Sequence, residues 1–346
     1  MKNPMPRPIQ LLLAILALSS VPLVRAATPP PVDGNGIFKL NSGESEYFGY
    51  VPDTYNSNTP ISLFVWMHGC GGQAYWDVFA IAPPATRANQ SYIAISIGGR
   101  DGACWDTNAD APKVLAAIAD VSRYFNIDPR RIFLGGYSSG GDMTYRVGFE
   151  NAWRFAGLLA ENSDPFRDTG STRAALMAAA SWKINVAHLA HTGDDVYPIA
   201  GVRASIAALQ AKGFPATLIE KPGSHWDNDA GNFGTNYDLR TFLLPFLDAG
   251  WISPPLPRPK IKSRKVRRTV SNARIVLKGT SKYADSVEYK LKGKKYRTAR
   301  GTTEKWKFPA RLVPGKNVIR VRAVGPQKNS KILRFVIRRT ASTLKP

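Results

Sequence analysis

Arg131-Ile-Phe-Leu-Gly-Gly-Tyr-Ser-Ser-Gly-Gly-Asp142 runs from strand-type composition into the pentapeptide Gly136-Tyr-Ser-Ser-Gly140, followed by a segment, Gly141 to Asn151, able to be helical. Glycines two residues either side of Ser138 let the chain turn tightly from strand to helix and lift the hydroxyl clear of the sheet. The same five residues also describe an ordinary glycine turn. The strand before and the helix after them are the context a nucleophile-bearing turn needs, so Ser138 is the candidate nucleophile.

Working outward, Glu46 to Val51, Ile61 to Met67, Tyr92 to Ile97, Phe155 to Ala160, Asn185 to Leu189 and Ala216 to Glu220 are short apolar runs of strand length. Lys113 to Tyr124, Ile199 to Ala211 and Asp238 to Leu247 carry helical spacing, and Asn126-Ile-Asp-Pro129 reads as the turn into the Ser138 strand. Apolar strands alternating with helices predict a mostly parallel sheet with helices on both faces, an α/β fold. Gly72 to Gln90 and Ser163 to Trp182 read as loops that would shape a substrate pocket.

A serine needs a base, an acid to orient that base, and donors for a developing oxyanion. Of the histidines after Ser138, His188 lies inside an apolar strand and His191 at its end, where packing or local bonding explains them as well as chemistry does. His225, in the loop Lys221-Pro-Gly-Ser-His-Trp226, has the position and type of the base. The acid is Asp194 or Asp195, directly after a strand, and whichever is not the acid is free to cap the next helix. His68-Gly-Cys-Gly-Gly72 follows an earlier strand, which makes the backbone N–H groups of Cys70 and Ser139 the expected oxyanion donors. Trp105 and Trp226 are candidates for the pocket wall, although such residues more often pack in a core or loop. The four histidines stand apart without ligand spacing and the cysteines form no zinc-type pair, so no metal and no cofactor is expected.

Residues 1–26 have early cations, an apolar stretch from Ile9 to Leu18 and a small-residue cleavage pattern at Val24-Arg-Ala26, the make-up of a signal peptide. No later apolar run reaches the roughly 20 residues of a membrane span, so an exported chain (secreted or periplasmic) without a transmembrane anchor is expected. In an oxidising compartment Cys70 and Cys104 read most simply as one disulfide, with two buried thiols as the alternative.

The net charge of +22 is not evenly spread. Residues 256–346 hold 28 lysines and arginines against three acids, whereas the preceding 255 residues hold 19 bases and 22 acids. The charge therefore says nothing about the substrate of the Ser138 region. Four prolines between Pro254 and Pro259 break the pattern and suggest a linker over residues 253–260. Beyond it, Val287, Tyr289 and Leu291, and again Leu333, Phe335 and Ile337, alternate with mostly basic residues, which predicts an antiparallel sandwich over 261–340 with Pro314 to Asn317 as a turn. Such a basic face attracts polyanions or an anionic cell surface; no reader motif points to specific nucleic acid.

His68-Gly-Cys-Gly, Gly136-Tyr-Ser-Ser-Gly-Gly141, His191-Thr-Gly-Asp-Asp-Val-Tyr-Pro198 and Gly223-Ser-His-Trp226 resemble, in order and spacing, the α/β-hydrolase fold over residues 33–252. More narrowly they are similar to exported esterases grouped with polyhydroxybutyrate depolymerases and feruloyl or acetyl-xylan esterases. The resemblance implies a Ser-His-Asp serine hydrolase, a Cys70–Cys104 bond next to Trp105, Asp194 as the acid when Pro198 is aligned, and polymeric or polysaccharide-linked esters as substrates. Serine peptidases of the same fold share such a triad, and a polyanion or polysaccharide binder acting through the basic segment is the alternative of another class. Gly279-Thr, Trp306-Lys-Phe308 and Leu312-Val-Pro-Gly-Lys-Asn-Val-Ile-Arg-Val-Arg-Ala323 are similar to bacterial immunoglobulin-like modules.

Overall fold

The computed structural model describes residues 27–167, 173–227, 238–301 and 304–340. The expected signal peptide, residues 1–26, lies outside them. The elements run β1 (Phe38–Asn41), β2 (Glu46–Tyr50), β3 (Ile61–Met67), α1 (Ala74–Ile81), β4 (Tyr92–Ile97), α2 (Ala111–Val121), β5 (Ile127–Tyr137), α3 (Ser139–Glu150), β6 (Gly157–Glu161), α4 (Arg173–Ala179), β7 (Asn185–His191), α5 (Ile199–Ala211) and β8 (Ala216–Lys221). Together the strands make one eight-stranded sheet in the order β1-β2-β4-β3-β5-β6-β7-β8. From β4 to β8 the pairs are parallel, while β1–β2 and β2–β4 are antiparallel.

Near-continuous apolar strands are what a sheet covered on both faces requires, because alternate side chains point to opposite sides. Leu63, Val65 and Met67 of β3 enter one core with Ile93, Ile95 and Ile97 of β4, packed under α2, α3 and α5. Phe64 and Trp66 enter the other, with Tyr92, Ala94, α1 residues Val78 and Ile81, and Leu239 and Leu243.

Several local readings need correction. Asn126 to Pro129 is not a separate turn: β5 already starts at Ile127, and the register slips between the Ile61–Ile127 and Leu63–Ile132 pairs. Such a bulge accepts Pro129, which has no N–H to give to a ladder. The expected loops contain helices, α1 within 72–90 and α4 within 163–182, too short for a periodicity signal. The segment 238–247 is helical but winds as a π turn (Leu239–Leu243) and then a 3₁₀ turn (Leu244–Asp248), with Leu244 N–H reaching Leu239 O. Pro245 in its middle lacks the donor for a regular α-turn.

Residues Trp251 to Pro259 have no regular structure. Two further sheets follow, formed by β9 (Lys260–Ser263), β10 (Thr269–Val270), β11 (Arg274–Lys282), β12 (Ser286–Leu291), β13 (Arg297–Thr298), β14 (Arg300–Gly301), β15 (Lys305–Arg311), β16 (Gly315–Val324) and β17 (Leu333–Arg339). Their orders are β10-β17-β16-β12-β13 and β14-β15-β11-β9. Both sheets contribute to one core that includes Leu277, Val287, Trp306, Phe308, Ile319, Val321 and Ile337. Antiparallel pairing was expected throughout, but β10 runs parallel to β17, and the strand β16 begins at Gly315, inside the expected 314–317 turn. Gly315, at φ +86°, ends the turn there. Arg154 and Asp285 form a half-buried ion pair between the two parts at 2.6 Å. Burial lowers the Arg154 pKa and raises that of Asp285, the cost of removing both charges from water.

Candidate active site

Ser138 stands between β5 and α3 at φ 54° and ψ −123°, a conformation that an L-residue holds only where its surroundings impose it. The flanking glycines supply the reason. A Cβ on Gly136 would lie 2.2 Å from Gly140 O, and one on Gly140 would lie 2.0 Å from Met67 O, so neither position accepts a side chain. Ser138 N–H donates to Glu161 O at 3.0 Å and its carbonyl accepts Asp142 N–H at 3.1 Å, which locks the turn on both sides.

The structure brings three of the sequence candidates together. Ser138 Oγ lies 3.1 Å from His225 Nε2, and His225 Nδ1 lies 2.8 Å from Asp194 Oδ2. All three residues are buried. The second carboxylate oxygen, Asp194 Oδ1, accepts the backbone N–H groups of Val196 at 2.8 Å and Tyr197 at 2.7 Å. Asp195, the alternative acid, is exposed. His225 is held further by its own carbonyl, which accepts Tyr137 O–H at 2.5 Å and Asn162 Nδ2–H at 2.9 Å.

Cys70 and Ser139 flank this turn, Cys70 in the loop after β3 and Ser139 directly after Ser138. A Cβ on Gly69 would lie 3.3 Å from Ser138 Cβ, so the His68–Gly72 loop rests against the serine. Among the described residues neither the Cys70 nor the Ser139 backbone N–H has an acceptor. Cys70 is bonded to Cys104. Trp105, expected in the pocket wall, is instead buried under this loop, its indole N–H donating to His68 O at 3.0 Å. The large ring is used to support the turn, and little of it remains for a ligand. Trp226 is 68% exposed and stands edge-on to the His225 ring, with centroids 4.8 Å apart.

The other histidines are built into the fold. His68 is buried, with ring nitrogens 2.7 Å from Gly69 O and 3.1 Å from Gly98 O. His191 is the last residue of β7, at the strand end as read from the sequence, and contacts Asn162 Oδ1 at 2.9 Å and Asp238 Oδ2 at 3.1 Å. His188 is buried against Tyr145, whose hydroxyl shares a hydrogen bond with its Nδ1 at 2.7 Å, and burial pushes its pKa down to about 3. A histidine kept neutral in the fold but free to protonate near pH 6.5 when unfolded favours the unfolded chain as pH falls below 6.5. Lowering the pH from 7 to 5 is therefore expected to cost about 2 kcal/mol of stability through this residue alone. Urea titrations at the two pH values check this against His188→Gln, which should lose that share of the dependence; identical pH dependence would rule it out.

Residues around His225 were not singled out in the sequence. Tyr197 lies on the His225 ring at 5.5 Å and 24°, and its hydroxyl donates to Asp142 Oδ2 at 2.7 Å. Burial, followed by the nearby Asp142 charge, pushes the Tyr197 phenol up, so it stays a neutral donor. Asn162 is equally silent in sequence. Only a short polar residue after a strand marks it, and such residues are common.

No family model matches the chain, and no curated protein matches it. Among solved structures it is similar to esterase PE8 (19% identity, 51% of this chain and 88% of that one, TM-score 0.43). It is also similar to the apo form of Thermogutta terrifontis esterase 2 (14% identity, 62% and 91%, TM-score 0.47). A third is the Staphylococcus aureus fluorophosphonate-binding serine hydrolase F (14% identity, 55% and 90%, TM-score 0.44). No helix among the described residues is long and apolar enough to cross a membrane, and no group of metal-binding side chains occurs among them.

Proposed function

We propose that this protein is a serine ester hydrolase of the α/β-hydrolase fold, with residues 33–252 as the catalytic domain and 261–340 as an immunoglobulin-like module. The observation that carries the reading is the chain of contacts from Ser138 Oγ to His225 Nε2 at 3.1 Å and from His225 Nδ1 to Asp194 Oδ2 at 2.8 Å. On this reading Ser138 attacks an ester carbonyl while His225 accepts its proton, and Asp194 stabilises the imidazolium. The Cys70 and Ser139 N–H groups, free of other acceptors, take the negative oxygen of the tetrahedral intermediate. His225 returns the proton to the leaving alcohol, and water repeats the sequence to release the acid from Ser138.

The proposed substrates are polymeric or polysaccharide-linked esters: polyhydroxyalkanoate, feruloyl or acetyl esters. The exposed Trp226 beside the base offers an apolar face to such a chain. Turnover of p-nitrophenyl acetate and butyrate, with Ser138 identified as the residue modified by a fluorophosphonate probe, tests the reaction class; no turnover and no label on Ser138 would overturn it. Parallel assays on polyhydroxybutyrate, feruloyl esters and acetyl-xylan test the substrate.

The cysteine bond belongs to the same reading. Cys70–Cys104 closes a loop with a sequence separation of 34, which stabilises by about 4 kcal/mol in the chain-entropy model. Cys104→Ala is expected to lower the urea midpoint accordingly and to reduce kcat more than it raises KM, because it frees the loop carrying an oxyanion donor. Unchanged kcat in folded variant would separate the bond from the chemistry.

A further inference from the structure

The outer face of the β10-β17-β16-β12-β13 sheet carries a feature that ester hydrolysis does not use. Strand register sets Lys290 of β12 opposite Arg320 of β16, and Arg320 opposite Arg334 of β17. Three cations thus stand in one row across three strands, spaced by the roughly 4.8 Å between neighbours. Like charges directly opposite one another destabilise a sheet. Lys292, Lys294 and Lys316 border the row, and with Leu291, Gly293 and Val318 these residues line a depression of about 450 Å³.

The neighbouring acids are committed elsewhere. Glu288 pairs with Arg322 at 2.7 Å and Asp285 with Arg154 at 2.6 Å, while Glu304 precedes β15 in the other sheet. Among the described residues, Arg320, Arg334, Lys292, Lys294 and Lys316 have no acidic partner, and Lys290 rests over the Tyr296 ring at 4.5 Å. A concave, uncompensated row of cations concentrates anions. The lining contains no aromatic ring, which single-stranded nucleic acid uses as a stacking platform, and no helix is there to enter a duplex groove. Guanidinium groups at Arg320 and Arg334 suit carboxylates, which they hold through paired N–H donors.

We propose that this groove binds a carboxylate-bearing polysaccharide, its successive acid groups lying across Lys290, Arg320 and Arg334. This site is independent of the Ser138 chemistry. The test compares the full chain with Lys316→Gln/Arg320→Gln/Arg334→Gln and with a control of equal charge loss, Lys262→Gln/Lys265→Gln/Arg267→Gln, all at exposed positions. Affinity is measured for polygalacturonate, for its methyl-esterified form and for oligo-deoxythymidine over a series of salt concentrations, with thermal melting as the folding check. Polygalacturonate is expected to bind, the methyl ester not, the groove variant to bind at least tenfold more weakly with a shallower salt dependence, and the control to stay within twofold of the parent. Equal weakening by both variants would reduce the effect to diffuse charge and overturn the proposal. So would a failure of the parent to bind, or tighter groove-dependent binding of the oligonucleotide.

Discussion

Replacing Ser138 by alanine is expected to lower kcat for p-nitrophenyl esters by a factor on the order of 10⁴ to 10⁶ and to leave the melting temperature nearly unchanged. The size of the first effect follows from the part Ser138 is proposed to take. It is the atom that forms the covalent bond, and no other nucleophile among the described residues stands within hydrogen-bond distance of His225 Nε2. The small second effect follows from the backbone. The turn at φ 54° strains serine and alanine alike, since both carry a Cβ, and the bonds locking it come from backbone groups: Ser138 N–H to Glu161 O and Asp142 N–H to Ser138 O. A folded Ser138→Ala protein that still turns over at parental rate would remove Ser138 from the mechanism. Loss of fluorophosphonate labelling in the same variant makes the result independent of the ester chosen.

Asp194→Asn should cost about 10⁴ in kcat, whereas Asp195→Asn should change it by no more than a few-fold. The asparagine keeps Oδ1 for the N–H groups of Val196 and Tyr197, so the local loop survives. What changes is the group facing His225 Nδ1. An amide N–H there cannot accept the ring proton, so the imidazole presents N–H instead of a lone pair to Ser138 Oγ and cannot act as base. Asp195 has an exposed side chain and is bypassed by this chain of contacts. The opposite ranking of the two variants would transfer the acid to Asp195.

The readings that survive contact with the structure share a feature: each rests on a few adjacent residues with a strong local preference. The strands Ile61–Met67 and Tyr92–Ile97 and the helix Ile199–Ala211 have the bounds read from their apolar patterns. Both faces of the central sheet are buried, which leaves an unbroken apolar run in the sequence. Where local signals conflict, the reading slips. Pro129 suggested a turn, but a bulge tolerates it; Asp238 to Leu247 suggested an ordinary helix, yet Pro245 rewinds it. Helices as short as α1 and α4 hold too few turns for their period to be seen.

Within the candidate site, Ser138, His225 and the adjacent aspartates were legible because nucleophile turns, a glycine loop and a strand end have residue types that announce them. The order of those segments along the chain also restricts which histidine can serve. The choice between Asp194 and Asp195 stayed open from the residues themselves, because neighbours in a loop share composition and differ only in direction. Tyr197, Asn162 and Asp142 were not legible at all. A tyrosine or asparagine that braces an imidazole looks like any other until distant strands bring it there: Asn162 and His225 are 63 positions apart, and Tyr197 and Asp142 are 55 apart.

The amino-acid sequence by itself determined the class of the fold, the glycine-flanked turn that carries Ser138, His225 as the candidate base and the separation of charge between a near-neutral part and a basic tail, since each is written in local pattern and composition. Only the tertiary structure decided that Asp194 and not Asp195 faces His225, that Trp105 supports a loop, and that Lys290, Arg320 and Arg334 stand in one row. Those are matters of direction and strand register, and register depends on pairings between residues far apart in the chain, for which no local preference speaks.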